Sequence, residues 1–233
     1  MKKLPWKNEK EFYNLHSREI FSRFPFYHVS MIGKTKEEFL EYIIRKARIN
    51  KDSNVVELGC GSGYVVASLN RICNCIGIST SEECITQCLL NYPDAKFEIN
   101  NMEVYQYSYA THFLALESLG YADLNKTLKN VYANLKKGGI FYVKDLIQLS
   151  NETEKEKTNR KYWEHYWCYN SFSVLEIITI AYTVGFKLVE FNDITGEINS
   201  NMFRESLKFN KVPFLLPFPK TNFLAACDFL FIK

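Results

Sequence analysis

The chain lacks several features that mark whole classes of protein. Its apolar runs all end well short of about 18 residues, so no membrane-spanning helix is expected. Its 29 basic and 26 acidic side chains leave a net charge of +3, which is too small to indicate binding to nucleic acid or to an anionic membrane. No apolar signal core follows the cationic residues at the start of the chain.

The cysteine pattern argues against a disulfide or zinc framework. The seven cysteines are an odd number and include no CxxC pair. Cys73 and Cys75 form only a CxC, which is a weak signal for a metal. Several of the other cysteines fall within predicted core strands, as buried thiols do. We therefore expect a reduced, cytoplasmic protein without a metal site.

The composition that is present suits one globular unit with a full core. At 233 residues and 47% hydrophobic content, we expect a single domain over residues 1–233. The aromatic content of 15% is high. Most of these rings must lie in the core, and a surplus suits a pocket for an apolar or cationic group.

The most informative stretch is Asn54–Gly63, in which an apolar run with one acid, Glu57, leads into a glycine-rich turn. The following residues, from Tyr64, read as the start of a helix. A strand, a glycine turn and a helix form the nucleotide-binding corner of a doubly wound α/β fold. The glycines at 59, 61 and 63 give GxGxG, however, and not the GxGxxG of dinucleotide-binding proteins.

Hydrophobic patterning predicts seven strands, most of them separated by helical patterns. The predicted strands are Asn54–Leu58, Asn74–Ser79, Lys96–Ile99, Thr111–Leu116, Ile140–Val143, Lys187–Phe191 and Phe223–Ile232. A helix is also predicted over Glu11–Phe24. The run 151–160 is charged and is predicted to be a solvated helix face or a loop. The proline-rich run 212–219 cannot be a central strand.

The glycine stretch, with Glu57 before it, resembles motif I of the class I S-adenosylmethionine (SAM) dependent methyltransferases. The resemblance covers roughly residues 35–190 and implies a doubly wound, seven-stranded, mostly parallel sheet whose last strand inserts antiparallel. It also implies an N-terminal helical cap over residues 1–34 and substrate-side insertions at 146–172 and 195–222. The cofactor implied is SAM, and no metal is intrinsically required.

Positions at the ends of the predicted strands carry the cofactor site in this family. By resemblance, the predicted cofactor-binding residues are Glu57, Gly59, Cys60, Gly61, Gly63, Ser79, Thr80, Asn101, Met102 and Glu117. Ser79 stands where most relatives have a ribose-binding acid. A hydroxyl there is similar to cyclopropane-fatty-acid synthases and geranyl diphosphate C-methyltransferases. Asn101 and Met102 would contact the adenine.

Glu117 ends the predicted strand Thr111–Leu116 as a lone carboxylate. The segment Glu117-Ser118 resembles that of geranyl diphosphate and sterol C-methyltransferases, in which a glutamate faces the substrate. An alkene that attacks a methyl group becomes a carbocation, which a fixed anion stabilises and can later deprotonate. We therefore predict a catalytic role for Glu117, with a helix-start or cofactor-binding role as the alternative.

The aromatic stretch 162–169 could line the acceptor cavity, or it could be a helix that packs on the sheet. His165 lies within it and is the second predicted catalytic residue, whereas His112 is predicted to be buried at a strand base. The predicted substrate-binding residues are Tyr27, Tyr121, Tyr162, Tyr166 and Trp167. Arg160 and Lys161 are nearby, but they form no clear phosphate clamp.

The leading hypothesis is carbon methylation of a small alkene or isoprenoid-like acceptor. The alternatives are a small-molecule N- or O-methyltransferase and a SAM-binding subunit of the same fold without turnover. A nucleic-acid methyltransferase is disfavoured, because Leu116–Leu119 stands where such enzymes have an Asn/Asp-Pro-Pro-Tyr motif. The acceptor and the oligomeric state do not follow from the sequence.

Overall fold

The computed structural model describes residues 6–23, 32–198 and 224–233 of the chain. The helices in these ranges are α1 (Glu9–Arg23), α2 (Lys36–Lys46), α3 (Tyr64–Leu69), α4 (Glu82–Asn91), α5 (Leu124–Asn134), α6 (Glu154–Trp167) and α7 (Val174–Val184). The strands are β1 (Asn54–Leu58), β2 (Asn74–Ser79), β3 (Lys96–Ile99), β4 (Ala110–Leu116), β5 (Leu135–Gln148), β6 (Lys187–Asp193) and β7 (Leu224–Ile232). Tyr27 and the run 212–219 lie outside the described residues. Within those ranges, no helix has the length and apolarity that crossing a membrane requires.

The strands form one sheet in the order β3-β2-β1-β4-β5-β7-β6. The pairs among β1 to β5 are parallel. Strand β7 runs antiparallel to both β5 and β6. The predicted doubly wound sheet and its antiparallel last strand are therefore confirmed. The carboxyl ends of β1, β2, β3 and β4 meet at one edge, where open α/β sheets bind ligands.

Helices cover both faces of the sheet. Apolar side chains of α2, α3 and α4 pack into the core on one face. Side chains of α5 and α7 pack into the core on the other. The central strand β4 has buried residues on both faces, which explains why its sequence is continuously apolar and does not alternate.

The structure extends the predicted strand Ile140–Val143 in both directions. Strand β5 runs over Leu135–Gln148, because Leu135 pairs with Ala110 of β4 and because β7 pairs with β5 continuously from Ile140 to Gln148. Near the start of β5, the Gly138 amide donates a hydrogen bond to the Lys233 carbonyl at 2.9 Å.

The charged run 151–160 and the aromatic stretch after it form one helix, α6. Thr153 and Glu156 make a reciprocal capping box that opens it. The Thr-x-x-Glu spacing is present in the sequence, but the high charge of the run left a loop open as an alternative to a helix. Arg160 faces inward and is buried, with ion pairs to Glu152 and Glu164.

Helix α1 is present as predicted and docks on two parts of the fold. At α4, the Asn14 Oδ1 atom accepts a hydrogen bond from the Ser81 hydroxyl at 2.8 Å. At α6, the Trp6 indole donates to the Tyr166 carbonyl at 3.0 Å. Phe12 and Trp167 pack edge-to-face in a small core between the two helices.

Gly77 allows the glycine turn to pack directly on β2. A Cβ at this position would lie 2.6 Å from the Cys60 Cβ and 2.7 Å from a Val66 methyl group. We expect Gly77→Ala to lower the free energy of unfolding by about 1–3 kcal/mol through overpacking. Gly196→Ala is the matched control, because a Cβ there would meet no described atom within 4 Å. Urea unfolding of both variants measures the effect, and equal losses would contradict it.

Candidate active site

The glycine turn after β1 is fastened to the end of β2. The amides of Gly59 and Cys60 both donate to the Ile78 carbonyl, at 2.9 and 3.0 Å. Gly59, Gly61 and Gly63 all have positive φ, at 70°, 49° and 79°. A Cβ at Gly59 would lie 2.7 Å from the Ser118 Cβ, and one at Gly63 would lie 2.9 Å from the Cys88 sulfur. A Cβ at Gly61 would meet no described atom within 4 Å, so Gly61 faces open space.

Three buried oxygen atoms around this turn have no hydrogen-bond partner among the described residues. They are Glu57 Oε2, Ser62 Oγ and Ser118 Oγ. A buried polar atom without a hydrogen-bond partner lowers the stability of the fold, so such an atom commonly binds a ligand or water. Together with the open space at Gly61, they fit a cofactor that brings its own donors and acceptors to the turn. Ser62 and Ser118 were not predicted as site residues.

Glu57 is 1% exposed, and burial raises its pKa from an ordinary value of 4.5 to about 8. A hydrogen bond with the Val66 backbone opposes this shift but does not cancel it. Glu57 is therefore largely protonated at neutral pH in the protein without ligand. A bound cationic group at the turn would favour the ionised form.

The other predicted cofactor residues lie along the same edge of the sheet. Ser79 ends β2, and its hydroxyl accepts from the Ser81 amide at 3.2 Å. The Thr80 hydroxyl donates to Glu9 of α1 at 3.1 Å. Asn101 is exposed, and its side-chain oxygen accepts from the Glu103 amide at 2.8 Å. Met102 is buried, with its methyl group 3.7 Å from the position of a Cβ at Gly59.

Cys60 belongs to a group of three buried thiols beneath the turn. Cys84 and Cys88 both donate to the Gly61 carbonyl, at 3.0 and 3.2 Å. Hydrogen bonding with these two thiols, together with burial, raises the pKa of Cys60 well above its ordinary value. Cys60 is thus a neutral packing group. No metal-binding cluster of His, Cys, Asp or Glu occurs in the described part of the chain.

Glu117 is held at the end of β4, but it is not the lone carboxylate that the sequence indicated. Lys144 of β5 places its Nζ 2.9 Å from Glu117 Oε1, and the Glu117 amide donates to the Lys144 carbonyl at 2.7 Å. The parallel register sets Leu116 beside Lys144, which brings the two charged side chains together. The backbone of Glu117 is left-handed, with φ at 58°.

Asp145 adds a second buried carboxylate next to this pair. It accepts hydrogen bonds from the Tyr169 hydroxyl and from the amides of Leu119 and Leu146. Burial raises its pKa from an ordinary 3.8 to about 6, and the hydrogen bonds keep it from rising further. Lys144 and Asp145 were not predicted as site residues. The feature of the sequence that could have indicated them is a charged pair inside the otherwise apolar run 140–147.

Tyrosines approach the carboxylates from three segments. The Tyr13 hydroxyl of α1 lies 2.9 Å from that of Tyr121, and the Tyr121 ring packs edge-to-face on Tyr169 at 4.8 Å. Tyr13 is half-buried, and this burial raises its pKa. Tyr121 was a predicted substrate-binding residue, and the structure places it between α1 and the segment after α6.

The remaining predicted residues of the aromatic stretch divide between packing and a cavity. Tyr166 and Trp167 contact Trp6 and Phe12, so they join α6 to α1. Tyr162 is half-buried and His165 is exposed. A cavity of about 410 Å³ is lined by Lys7, Asn8, Glu9, Tyr121, Glu164, His165, Cys168, Tyr169 and Asn170. His112 is buried at the start of β4 as predicted, and its ring contacts the Thr111 hydroxyl at 2.8 Å.

The family to which the chain belongs follows from its match to a known family model. A family model described as a methyltransferase domain matches residues 31–191, which is more than half of the chain. The chain belongs to the methyltransferase-domain family. This assignment confirms the predicted methyltransferase class and, with it, SAM as the cofactor that such a domain uses.

The relatives and neighbours differ in their stated chemistry. A carboxy-S-adenosyl-L-methionine synthase of Pseudoalteromonas translucida is 27% identical over 138 residues, or 53% of this chain and 54% of that protein. The chain thus spans about half the length of the curated relatives it matches.

Among solved structures, the geranyl diphosphate C-methyltransferase of Streptomyces coelicolor A3(2) superposes with a TM-score of 0.76 at 13% identity, covering 99% of this chain and 100% of that one. Phosphoethanolamine N-methyltransferase 2 of Haemonchus contortus gives 0.75 at 15% identity, covering 98% of this chain and 60% of that one. These two likenesses show the fold.

The raised pKa of Glu57 predicts how stability depends on pH. The folded protein keeps a proton that the unfolded chain releases above pH 4.5, so this group lowers the free energy of unfolding as pH rises toward 8. The slope is at most about 1.4 kcal/mol per pH unit. Glu57→Gln keeps the neutral form at every pH and removes this contribution.

Urea unfolding without ligand at about pH 5 and about pH 8 measures the difference between wild type and the variant. We expect the variant to gain stability relative to wild type at the higher pH. Asp145 is present in both proteins and cancels. A difference that stays constant with pH would show that Glu57 titrates normally.

The open space at Gly61 predicts that a large side chain there blocks the cofactor. We expect Gly61→Arg to abolish SAM binding in calorimetry. Gly138→Arg is the matched control, because Gly138 also has positive φ, at 75°, and a Cβ there also meets no described atom within 4 Å. Both variants place an arginine at a positive φ, but only the first fills the turn after β1. Unchanged affinity in Gly61→Arg would remove the turn from the cofactor site.

Proposed function

We propose that the protein transfers a methyl group from SAM to a small-molecule acceptor at the edge formed by β1, β2 and β4. The observation that carries the proposal is the contact between Gly59 and Ser118. It sets the residue after Glu117 against the glycine turn, so a carboxylate and the proposed cofactor site share one space. Bound SAM supplies a methyl group on a sulfonium, and the chain must bind, orient and shield the reacting groups.

The described residues divide these tasks. Glu57, Ser62 and the glycine turn bind the cofactor, while Ser79 and Asn101 lie where the ribose and adenine would be contacted. Helix α1 covers the site through Tyr13 and excludes water from it. Glu117 faces the acceptor and stabilises positive charge that develops there.

We further propose carbon methylation of an alkene or isoprenoid-like acceptor as the reaction. Asp145 is ionised above about pH 6, and Glu117 forms an ion pair with Lys144. The group is then net negative by one charge and is bordered by tyrosine rings, which suits a carbocation. Arg160 is held by Glu152 and Glu164, so it offers no ready clamp for a diphosphate.

Methylation of a small amine is the second candidate, and the cavity between α1 and α6 favours it. Its lining includes the carboxylates Glu9 and Glu164 and the imidazole of His165. An amine would be attracted by the carboxylates, and His165 could take the proton that it loses. A third outcome is suggested by the name of the P. translucida relative, in which SAM itself is the molecule that is modified.

Calorimetric titration with SAM, and separately with NAD, tests the cofactor. Isotope-labelled SAM with panels of alkenes and small amines then tests the reaction, with mass spectrometry of both acceptor and cofactor. A methylated alkene supports the first candidate, and a methylated amine supports the second. A heavier cofactor derivative with no methylated acceptor would replace both. Binding without any product would indicate a subunit that holds SAM without turnover.

Glu117 is the residue whose substitution separates chemistry from binding. We expect Glu117→Gln to keep the affinity for SAM and to lower turnover by about 10²-fold or more, because the amide carries no charge and cannot accept the proton. Glu190→Gln is the control, since Glu190 is ion-paired with Arg48 at 2.6 Å on the partly exposed strand β6. If Glu117→Gln instead loses SAM binding, Glu117 belongs to the cofactor site.

A further inference from the structure

Lys144 is a cation that the fold removes completely from water. Its side chain is 0% exposed, and its Nζ lies 2.9 Å from Glu117 Oε1 and 5.4 Å from the centre of the Phe39 ring. It sits in the middle of β5, between the buried apolar Val143 and the buried Asp145. A lysine at such a position is rare unless a specific partner holds it.

The pair is poorly explained by stability. Replacing a buried ion pair by apolar side chains of similar size is often neutral or stabilising, whereas removing one partner is strongly destabilising. An apolar residue at 144 would also suit the strand pattern. The geometry points to a role for this charge at the Glu117 carboxylate, which Lys144 contacts in the proposed site.

We propose that Lys144 is a positioning residue for Glu117, an inference that rests on the proposed function. Its ammonium keeps Glu117 ionised at neutral pH and fixes one carboxylate oxygen, Oε1. The direction of the carboxylate at the end of β4 is thereby fixed. Because the backbones of residues 117 and 144 are also hydrogen-bonded, residue 144 holds Glu117 both at its backbone and at its side-chain carboxylate.

The other described titratable groups near Glu117 are acidic groups that are either anionic or neutral at pH 7. Asp145 of β5 is a second carboxylate whose charge opposes that of Glu117. Tyr13 of α1, which is half-buried, and Tyr169 after α6, which is buried, lie close enough to Glu117 for its charge to raise their pKa values further. Among these described neighbours, Lys144 alone supplies positive charge. Removing it should therefore raise the pH at which Glu117 ionises.

The first test is Lys144→Met, with Lys144→Gln as a second variant that keeps a hydrogen-bond donor and with Lys144→Arg as the charge-keeping variant. We expect Lys144→Met to lower kcat/KM for the acceptor by about tenfold or more at pH 7. The acid limb of its pH profile should move up by about one unit or more. SAM affinity should stay within about twofold of wild type. Lys126→Met, which removes an exposed ion pair with Glu103 at 3.5 Å, is the control.

A second readout does not require turnover. The side-chain carboxyl of Glu117 can be followed by NMR in protein labelled at glutamate, with its signal assigned from its absence in Glu117→Gln. It should titrate at higher pH in Lys144→Met and Lys144→Gln than in wild type. Lys144→Arg should titrate as wild type does.

The outcomes separate the two proposals. Failure of wild type to methylate any acceptor would count against the proposed function, while the NMR titration would still decide the role of Lys144. Equal titration midpoints in wild type, Lys144→Met and Lys144→Gln would overturn the inference, as would an unchanged pH profile. The double variant Glu117→Gln/Lys144→Met should regain stability relative to Lys144→Met but not activity. Recovery of both would make the pair purely structural.

Discussion

Parallel pairing of β1 with β2 and β4 is the constraint on which the site depends. It brings the ends of three strands to one edge, so residues that are 20 to 60 positions apart in the chain become neighbours. The glycine turn is then fastened by the Ile78 carbonyl, which accepts from two of its amides. With the turn fixed on β2 and close to Ser118, the proposed cofactor side and the proposed acceptor side of the site lie next to each other.

The second organising feature is charge inside an apolar sheet. Strand β5 carries Lys144 and Asp145 in succession, and neighbouring strand residues point to opposite faces. One side chain therefore pairs with Glu117, and the other is hydrogen-bonded to Tyr169 and to backbone amides. The cost of burying these charged groups is offset because each has a partner: Lys144 has Glu117, and Asp145 has the Tyr169 hydroxyl and two backbone amides.

The sequence was sufficient for the features that have local signals. Strand periodicity, capping residues and the glycine spacing predicted the seven strands, the sheet class and the turn, and the family comparison supports them. The pairing of Glu117 could not be predicted, because it depends on the register between β4 and β5. The length of β5 was likewise set by β7, a partner some 80 residues further along. The roles of Tyr162, Tyr166, Trp167 and His165 remain predictions, although Tyr166 and Trp167 pack against α1.

The docking of α1 has a consequence for how such a protein can diversify. Groups proposed for chemistry and cofactor binding stand on strands and the turns that follow them, whereas Tyr13 and the cavity lining come largely from α1, α6 and the segment after α6. These segments lie outside the sheet. Substitutions in them can reshape the proposed acceptor pocket while leaving the strand register intact, so the choice of acceptor and the binding of the cofactor can evolve at different rates.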